Sequence, residues 1–362
     1  MERRDFLKMA GIALAGTAAG SLIKPINVHA KKRIRWRMAS SFPKAVDVIY
    51  GGGKTICDLV REMTDGMFDI RIYAAGELVP GLKVFDAVQE GAIQAGHTTL
   101  YYYIGKHPAF AFGTAVPFGL IYRQQEAWLH QGNGNKLINS LASDFNLITF
   151  PAGNTGAQMG GWYRKPIRSL KDLKGLRMRI PGLGGKVMAR LGVSVQVLAG
   201  GDIYPALERG ALDATEWVGP YDDEKLGFYK VAKYYYYPGW WEPAPSIHLV
   251  VNKKAWENLP KEYQEVLRAA ARIANVKMMA QYDVKNPPAL KRLLEKGVKL
   301  ERFPDDVIKA AKKEAFDLYE EIASKDATYR KIFEDWKKFK KETSSWLGLN
   351  EFAMETITFK GV

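Results

Sequence analysis

The chain runs to 362 residues, with 53 Lys and Arg against 39 Asp and Glu, a formal net charge of +14 and a single cysteine. Its length suffices for two lobes with separate cores, and the lone Cys57 excludes an intrachain disulfide or a cysteine metal cluster. The positive charge does not indicate nucleic acid: from Glu301 to Lys341 the lysines are dispersed among glutamates, the pattern of a solvated helix surface, and what the charge supports is attraction of small anions.

Arg3 and Arg4, followed by Asp5, Phe6, Leu7 and Lys8, open an N-terminus that turns apolar from Met9 to Ile23 and closes on Val28-His29-Ala30. Residues 1–30 therefore read as a twin-arginine signal peptide with cleavage after Ala30, and localisation is expected in the periplasm or at the cell-envelope exterior. A retained anchor would need about 20 strongly apolar residues. Gly11, Gly16, Thr17, Gly20 and Ser21 dilute this segment.

Ile34, Trp36 and Met38 alternate as a strand, and Ile56, Leu59, Val60 and Met63 then recur at helical spacing. Further strands are expected at Phe68/Ile70/Ile72, Ile93 to Gly96, Leu147 to Phe150, Leu176 to Ile180, Val193 to Val197, Leu212 to Glu216 and Ile247 to Asn252. Residues 253–348 read as mostly helical, with breaks at Pro260, Pro287-Pro288 and Pro304. The fold class is α/β, a two-lobed clamp like the periplasmic binding proteins with a long helical C-terminal tail. One lobe spans 31–154 and regains the chain at 247–304, the second spans 155–246, and the tail is 305–362.

Two glycine clusters imitate a phosphate loop. Gly53-Lys54 has Val48 where the first glycine belongs, and Gly185-Lys186 has Ile180 there and Val187 in place of Ser or Thr. Both clusters are expected instead to let backbone amides approach a cleft. Cys57 lies on an apolar helix face and reads as an inert buried thiol, and no catalytic motif appears elsewhere. The run Tyr234 to Tyr237 has only a bland reading, a half-buried surface near a hinge.

Recognition begins in the segment from Lys165 to Gly182, which contains Arg177-Met178-Arg179-Ile180-Pro181-Gly182. With Leu191-Gly192-Val193 and the stretch from Asp202-Ile203-Tyr204-Pro205 to Glu216-Trp217, it resembles the solute-binding proteins of tripartite ATP-independent periplasmic (TRAP) transporters over essentially the whole mature chain. The resemblance implies a binding protein that catalyses nothing, closes on a small organic anion and delivers it to TRAP membrane permease subunits. Periodicity alone does not separate Arg177 from Arg179. The family motif selects Arg179 as the residue that holds the ligand carboxylate, a role suited to paired guanidinium donors.

Asn154 and Gln158, Glu216-Trp217 and Trp240-Trp241-Glu242 look like the subgroup that binds 2-oxo or 2-hydroxy monocarboxylates through a metal ion. Mapped by motif, the metal ligands implied are Gln158, Glu216 with the Trp217 carbonyl, and Glu242. An oxygen-only set points to Na⁺ or Ca²⁺. Strand alternation sends the adjacent Glu216 and Trp217 side chains to opposite faces, which would leave Trp217 only its carbonyl to contribute. Trp240 and Trp241 are equally consistent with core packing, whereas Glu242 among aromatics would be costly without a cation.

Tyr101, Tyr102 and Tyr103 follow a predicted strand and could present a phenol to the ligand, with at most two facing the cleft. Ile308, Ala311, Ala315, Leu318 and Ile322 make a helical stripe that needs a partner surface, so a homodimer is expected. The tail also resembles an element that some members of the subgroup exchange between protomers. The alternatives are a metal-free binder of a sugar acid or dicarboxylate, against which Trp240-Trp241-Glu242 argues, and an exported enzyme acting on a carboxylic acid.

Overall fold

The structure is a computed structural model that describes residues 33–360, so the signal-peptide reading of residues 1–30 lies outside the described residues. Strand β1 (Ile34–Ser40) buries Trp36 and Met38 and exposes Arg35 and Arg37, as its alternation requires. Helix α1 (Asp47–Met63) follows and buries Val48, Ile49, Ile56, Cys57 and Val60 on one face.

The cluster Gly51-Gly52-Gly53 lies inside α1 and not in a cleft-facing loop. Its role is close packing: a Cβ on Gly52 would stand 2.4 Å from Met278 Cε, and one on Gly53 would stand 2.9 Å from the His97 ring. The second cluster does begin a helix, α2 (Gly182–Arg190).

Two sheets form. In the first, β1 lies between β2 (Phe68–Tyr73) and β3 (Ala95–Thr98), parallel to both, and β10 (Ser246–Asn252) runs antiparallel between β3 and β4 (Leu147–Asn154). The second has the order β11-β9-β5-β8-β6-β7, built from β5 (Trp162–Tyr163), β6 (Arg177–Arg179), β7 (Ser194–Gln196), β8 (Ala214–Thr215), β9 (Tyr234–Tyr237) and β11 (Lys299–Arg302). The chain therefore leaves the first sheet after β4, builds most of the second and returns through β10.

Tyr234 to Tyr237 forms β9, an interior strand of the second sheet and not a bare surface run: Tyr235 and Tyr236 are buried, Tyr234 is half-buried and Tyr237 exposed. Tyr235 stacks on Trp162 with ring centroids 4.0 Å apart, and the Tyr236 hydroxyl accepts from Ile167 N at 2.7 Å. Strands β5 and β11 escape the sequence reading because β5 is two residues long and β11 is fully exposed, so neither shows a periodic apolar signal.

Helices α3 (Gly200–Glu208) and α4 (Pro220–Leu226) flank β8, and α5 (Lys261–Glu295) packs on α1 and β4 at one end and on α4 at the other. The expected break at Pro287-Pro288 does not occur: α5 continues through both prolines for 35 residues. An interior proline costs a helix about 3 kcal/mol. Tertiary packing offsets it here, because Tyr282, Ala289 and Leu293 are buried on either side and Asn286 Oδ1 accepts from Tyr221 N at 3.1 Å.

The C-terminal region is helical throughout, as α6 (Asp305–Lys325), α7 (Ala327–Leu349) and α8 (Glu351–Lys360). The α6 stripe meets its own chain: Ala311, Ala315 and Leu318 are buried and Ile308 and Ile322 pack on the same core, which includes Phe112, Tyr329 and Trp336. It therefore does not call for a second protomer. Exposed apolar residues appear further on, at Trp346, Leu349, Phe352, Met354, Ile357 and Phe359. Among the described residues no helix is long and apolar enough to cross a membrane.

Candidate functional site

Arg179 ends β6 just before Pro181 terminates the strand, and its guanidinium is 1 % exposed. Nε donates to Leu198 O at 3.1 Å, and Nη1 pairs with Glu216 Oε1 and reaches Glu216 O at 3.4 Å. Nη2 has no acceptor. Arg177, two residues earlier, is spent in an exposed bidentate pair with Asp213, Nε to Oδ2 at 2.8 Å and Nη2 to Oδ1 at 2.6 Å.

Strand β8 ends at Thr215, so the alternation rule does not reach Glu216 and Trp217. Both side chains turn to the same arginine, with Arg179 Cζ 5.3 Å from the Trp217 ring and Glu216 wholly buried. Trp217 fits because residue 200 at the start of α3 is glycine; a Cβ there would lie 2.6 Å from Trp217 Cη2.

The segments carrying Gln158 and Glu242 are tied by backbone bonds, Gln158 N to Glu242 O at 3.2 Å and Gly239 N to Gln158 O at 2.9 Å. Gln158 Nε2 donates to Thr155 Oγ1 at 3.3 Å, which leaves Oε1 buried without a donor. Glu242, 3 % exposed, accepts from the Tyr101 hydroxyl at 3.2 Å on Oε2. Tyr101 comes from the turn after β3, so this bond crosses between the segments of the two sheets.

Arg179, Trp217, Gln158, Tyr101, Tyr102 and Thr155 line one small cavity of about 10 Å³, closed further by Phe42, Ile49 and Ile247. Sequence reasoning missed Thr155 and the apolar wall. Thr155 stands one position beyond Asn154 and carried no signal of its own, and the wall residues come from strands and helices that read only as core.

Two sequence candidates do not join the group. Tyr103 turns into the core of its lobe, where its hydroxyl lies 2.9 Å from Thr98 Oγ1 and accepts from Phe85 N at 3.3 Å. Asn154 locks the end of β4: Oδ1 accepts from Gly156 N at 2.9 Å and Nδ2 donates to Glu126 Oε1 at 3.2 Å and Ala244 O at 3.3 Å. Local pairing satisfies each residue before it can reach the cleft. Trp240 and Trp241 are buried, Trp240 stacking on Phe118 and Trp241 against Phe303.

Burial pushes the Glu216 carboxyl up to about 7, although Arg179 pulls it down. Glu242 is raised well above the ordinary carboxylate range by burial and then by Glu216, with Arg179 and the Tyr101 hydroxyl opposing. Burial works against the Arg179 charge, but Glu216 and the phenols of Tyr102 and Tyr101 outweigh it and raise its pKa. The Tyr102 phenol is pushed up to about 12, chiefly by burial.

Two carboxylates thus face one guanidinium in a dry space, and one of them is favoured as the neutral acid. A cation fits this surplus. Gln158 Oε1 and Glu216 Oε2 are buried oxygens without a donor, and with the Glu242 carboxylate they are the hard oxygens that could hold one. Among the described residues no group of three or more His, Cys, Asp or Glu is placed to hold a metal, so a site here would need amide or carbonyl oxygens as well as carboxylates.

A family model described as bacterial extracellular solute-binding protein, family 7, matches residues 39–326. The chain is 54% identical over 360 residues, 99% of each chain, to a monocarboxylate 2-oxoacid-binding periplasmic protein of Nostoc sp.. Its structure is similar to that of a TRAP transporter solute-binding protein of Bordetella bronchiseptica, with a TM-score of 0.90 and 46% identity over 91% of this chain and 98% of that one. That protein is a mixed-occupancy dimer, with copurified calcium and picolinate in a bound active site and an apo site beside it. A TRAP periplasmic solute-binding protein of Pseudoalteromonas atlantica with bound sodium and pyruvate matches at a TM-score of 0.87 and 39% identity, over 89% of this chain and 98% of that one.

Proposed function

The chain belongs to family 7 of the bacterial extracellular solute-binding proteins, the binding components of TRAP transporters, and from that premise we propose that its cleft captures a small 2-oxo or 2-hydroxy monocarboxylate together with Na⁺ or Ca²⁺. The observation that carries the reading is a trio of buried, unpartnered polar atoms, Arg179 Nη2, Glu216 Oε2 and Gln158 Oε1, on residues linked by the Arg179–Glu216 pair and by the small cavity that Arg179 and Gln158 both line. A carboxylate answers the guanidinium and a cation answers the two oxygens.

In this reading Arg179 binds and orients the ligand carboxylate, and Trp217 holds the guanidinium plane from one side. Tyr101 and Tyr102 close over the ligand, Tyr101 bringing Glu242 with it. Gln158, Glu216, the Trp217 carbonyl and Glu242 would hold the cation, whose chemistry is to neutralise the paired carboxylates and offer a positive centre to the ligand oxygens. The cavity of about 10 Å³ holds no more than about one water, so the cleft must open to admit the ligand, which then takes the free Nη2 while Glu216 keeps Nη1. A metal-free dicarboxylate or sugar acid is less well supported, because it would leave Glu216 and Glu242 facing further negative charge.

The proposed division into lobes 31–154 with 247–304, and 155–246, is supported by the sheet membership of β1 to β10, while β11 (Lys299–Arg302) joins the second sheet. Export through the twin-arginine pathway and delivery to a TRAP permease complete the proposal. The homodimer also belongs to it, supported by the exposed apolar residues of α7 and α8 and by the dimeric relative from Bordetella bronchiseptica.

The test is to strip the protein by denaturation, refold it in chelator without sodium, and titrate pyruvate with calcium, with sodium and with neither. Pyruvate should bind tightly only with a cation, and linkage requires pyruvate to strengthen cation affinity by the same factor. Equal pyruvate affinity in all three buffers would remove the cation from the site.

A further inference from the structure

A cavity of about 550 Å³ is lined by Pro238, Gly239, Trp240 and Pro243 of the loop that carries Glu242. Phe118, Trp240, Ile308 and Phe316 contribute apolar walls, and Gln158 lines both this cavity and the small one. Phe118 is held in the left-handed region at φ +53°, unusual for a bulky residue. Its N donates to Trp240 O at 2.7 Å and its ring stacks on Trp240 at 5.1 Å.

Two lysines, Lys312 on α6 and Lys340 on α7, reach the same space, and neither pairs with a carboxylate among the described residues. Lys340 Nζ is held by the Phe118 and Gly119 carbonyls, the latter at 2.8 Å. Burial, and then the neighbouring charge of Lys312, lower its pKa to about 8. Arg302 also lines the cavity, with Nη1 paired to Asp305 Oδ1 at 2.8 Å, but no Asp or Glu is itself in the lining, and the indole N–H of Trp240, itself 4 % exposed, has no acceptor. Apolar walls, two mutually repelling ammonium groups and an orphan donor make a surface complementary to one chemistry, an anion with an apolar body.

The geometry points to a second binding site between α6, α7 and the loop at Phe118, which takes an amphiphilic carboxylate, its head against Lys312 and Lys340 and its body against Phe118, Trp240 and Phe316. The occupant is distinct from the solute in the cleft. It contacts the solute site only through the shared Gln158 and the Trp240 loop, so occupancy stiffens the segment that brings Glu242 to the cleft.

The full mature chain, loaded with pyruvate and calcium, is titrated with decanoate and with decan-1-ol by calorimetry, while retained pyruvate is measured by equilibrium dialysis. Decanoate should saturate one site per chain, bind about tenfold more tightly than the alcohol and leave pyruvate in place. Lys312→Gln, exposed and outside the cleft, should weaken decanoate about threefold and leave pyruvate affinity unchanged; Lys340→Met should weaken decanoate at least as much, checked by circular dichroism for folding. Absence of saturable decanoate binding, equal binding of the alcohol, displacement of pyruvate, or an unaffected Lys312→Gln variant would each overturn the site. Decanoate binding that appears only after residues 350–362 are deleted would also overturn it, since a second copy's tail would then occupy the cavity in the full chain.

Discussion

At Arg179 two negative groups compete for one guanidinium, the Glu216 carboxylate already paired with Nη1 and the ligand carboxylate proposed for the free Nη2. The planar fork of arginine can serve both at once, which a lysine ammonium cannot. Arg179→Lys should therefore weaken pyruvate binding by on the order of 2 kcal/mol, through the lost second contact and the partner left unpaired in a dry cleft. Calorimetry on stripped and reloaded protein measures it. Unchanged affinity would require another cation, and Arg177 is not available, since Asp213 holds it from two sides.

At the scale of elements, α3 and α4 shape the segment between them. Gly200 at the start of α3 makes room for the Trp217 ring, and adding one methyl puts a carbon 2.6 Å from Cη2. Overpacking of this kind costs about 1–3 kcal/mol, and here it should appear partly as weaker pyruvate binding, because the displaced ring lies against Arg179. Gly200→Ala is thus expected to reduce affinity more than it reduces thermal stability relative to a Gly201→Ala control, a position with open space around it.

Helix α4 also carries Asp222 and Asp223, both buried. Asp223 accepts from Trp162 Nε1 at 2.9 Å and from the Tyr235 hydroxyl at 2.7 Å, and Asp222 accepts from the Tyr282 hydroxyl on α5 at 2.8 Å. Burial pushes each carboxyl up to about 7, partly opposed by these donors. A carboxyl whose folded pKa is raised contributes stability that is complete below its ordinary value near 3.8 and is lost as pH rises through about 7. Asp222→Asn should accordingly remove part of the stability loss between pH 5 and pH 8, by on the order of 3 kcal/mol. Parallel stability curves for the two proteins across that window would show that Asp222 does not titrate there.

For the whole molecule, the helical C-terminus divides into a part that serves its own chain and a part that does not. The α6 stripe is covered from within by residues such as Phe112 and Trp336, whereas Leu349, Phe352, Met354 and Phe359 are all more than half exposed. The exposed apolar residues at the end of α7 and on α8 are the surface proposed for association. Light scattering at micromolar concentration should report a dimer for the mature chain and a monomer for a chain ending at Leu349; a dimer in both would place the interface elsewhere.

Much was legible in the amino-acid order because it is local. Alternation in Ile34 to Met38, helical spacing after Asp47 and the punctuated strands around Arg179 and Ile247 determined the α/β class. The run around Arg179 and the pairs Glu216-Trp217 and Trp241-Glu242 were legible through their resemblance to TRAP solute-binding proteins, which named the candidates to look for. Tertiary structure decided what local pattern cannot carry. It separated Arg177 from Arg179 by giving one an aspartate at the surface and the other a buried glutamate, and it withdrew Tyr103 and Asn154 by satisfying them elsewhere. It carried α5 through two prolines because packing on both sides outweighs the lost backbone bonds. The α6 stripe was real in the sequence, but whether it faces another protomer or its own core depends on which surface the folded chain brings to it, and that is a property of the tertiary structure alone.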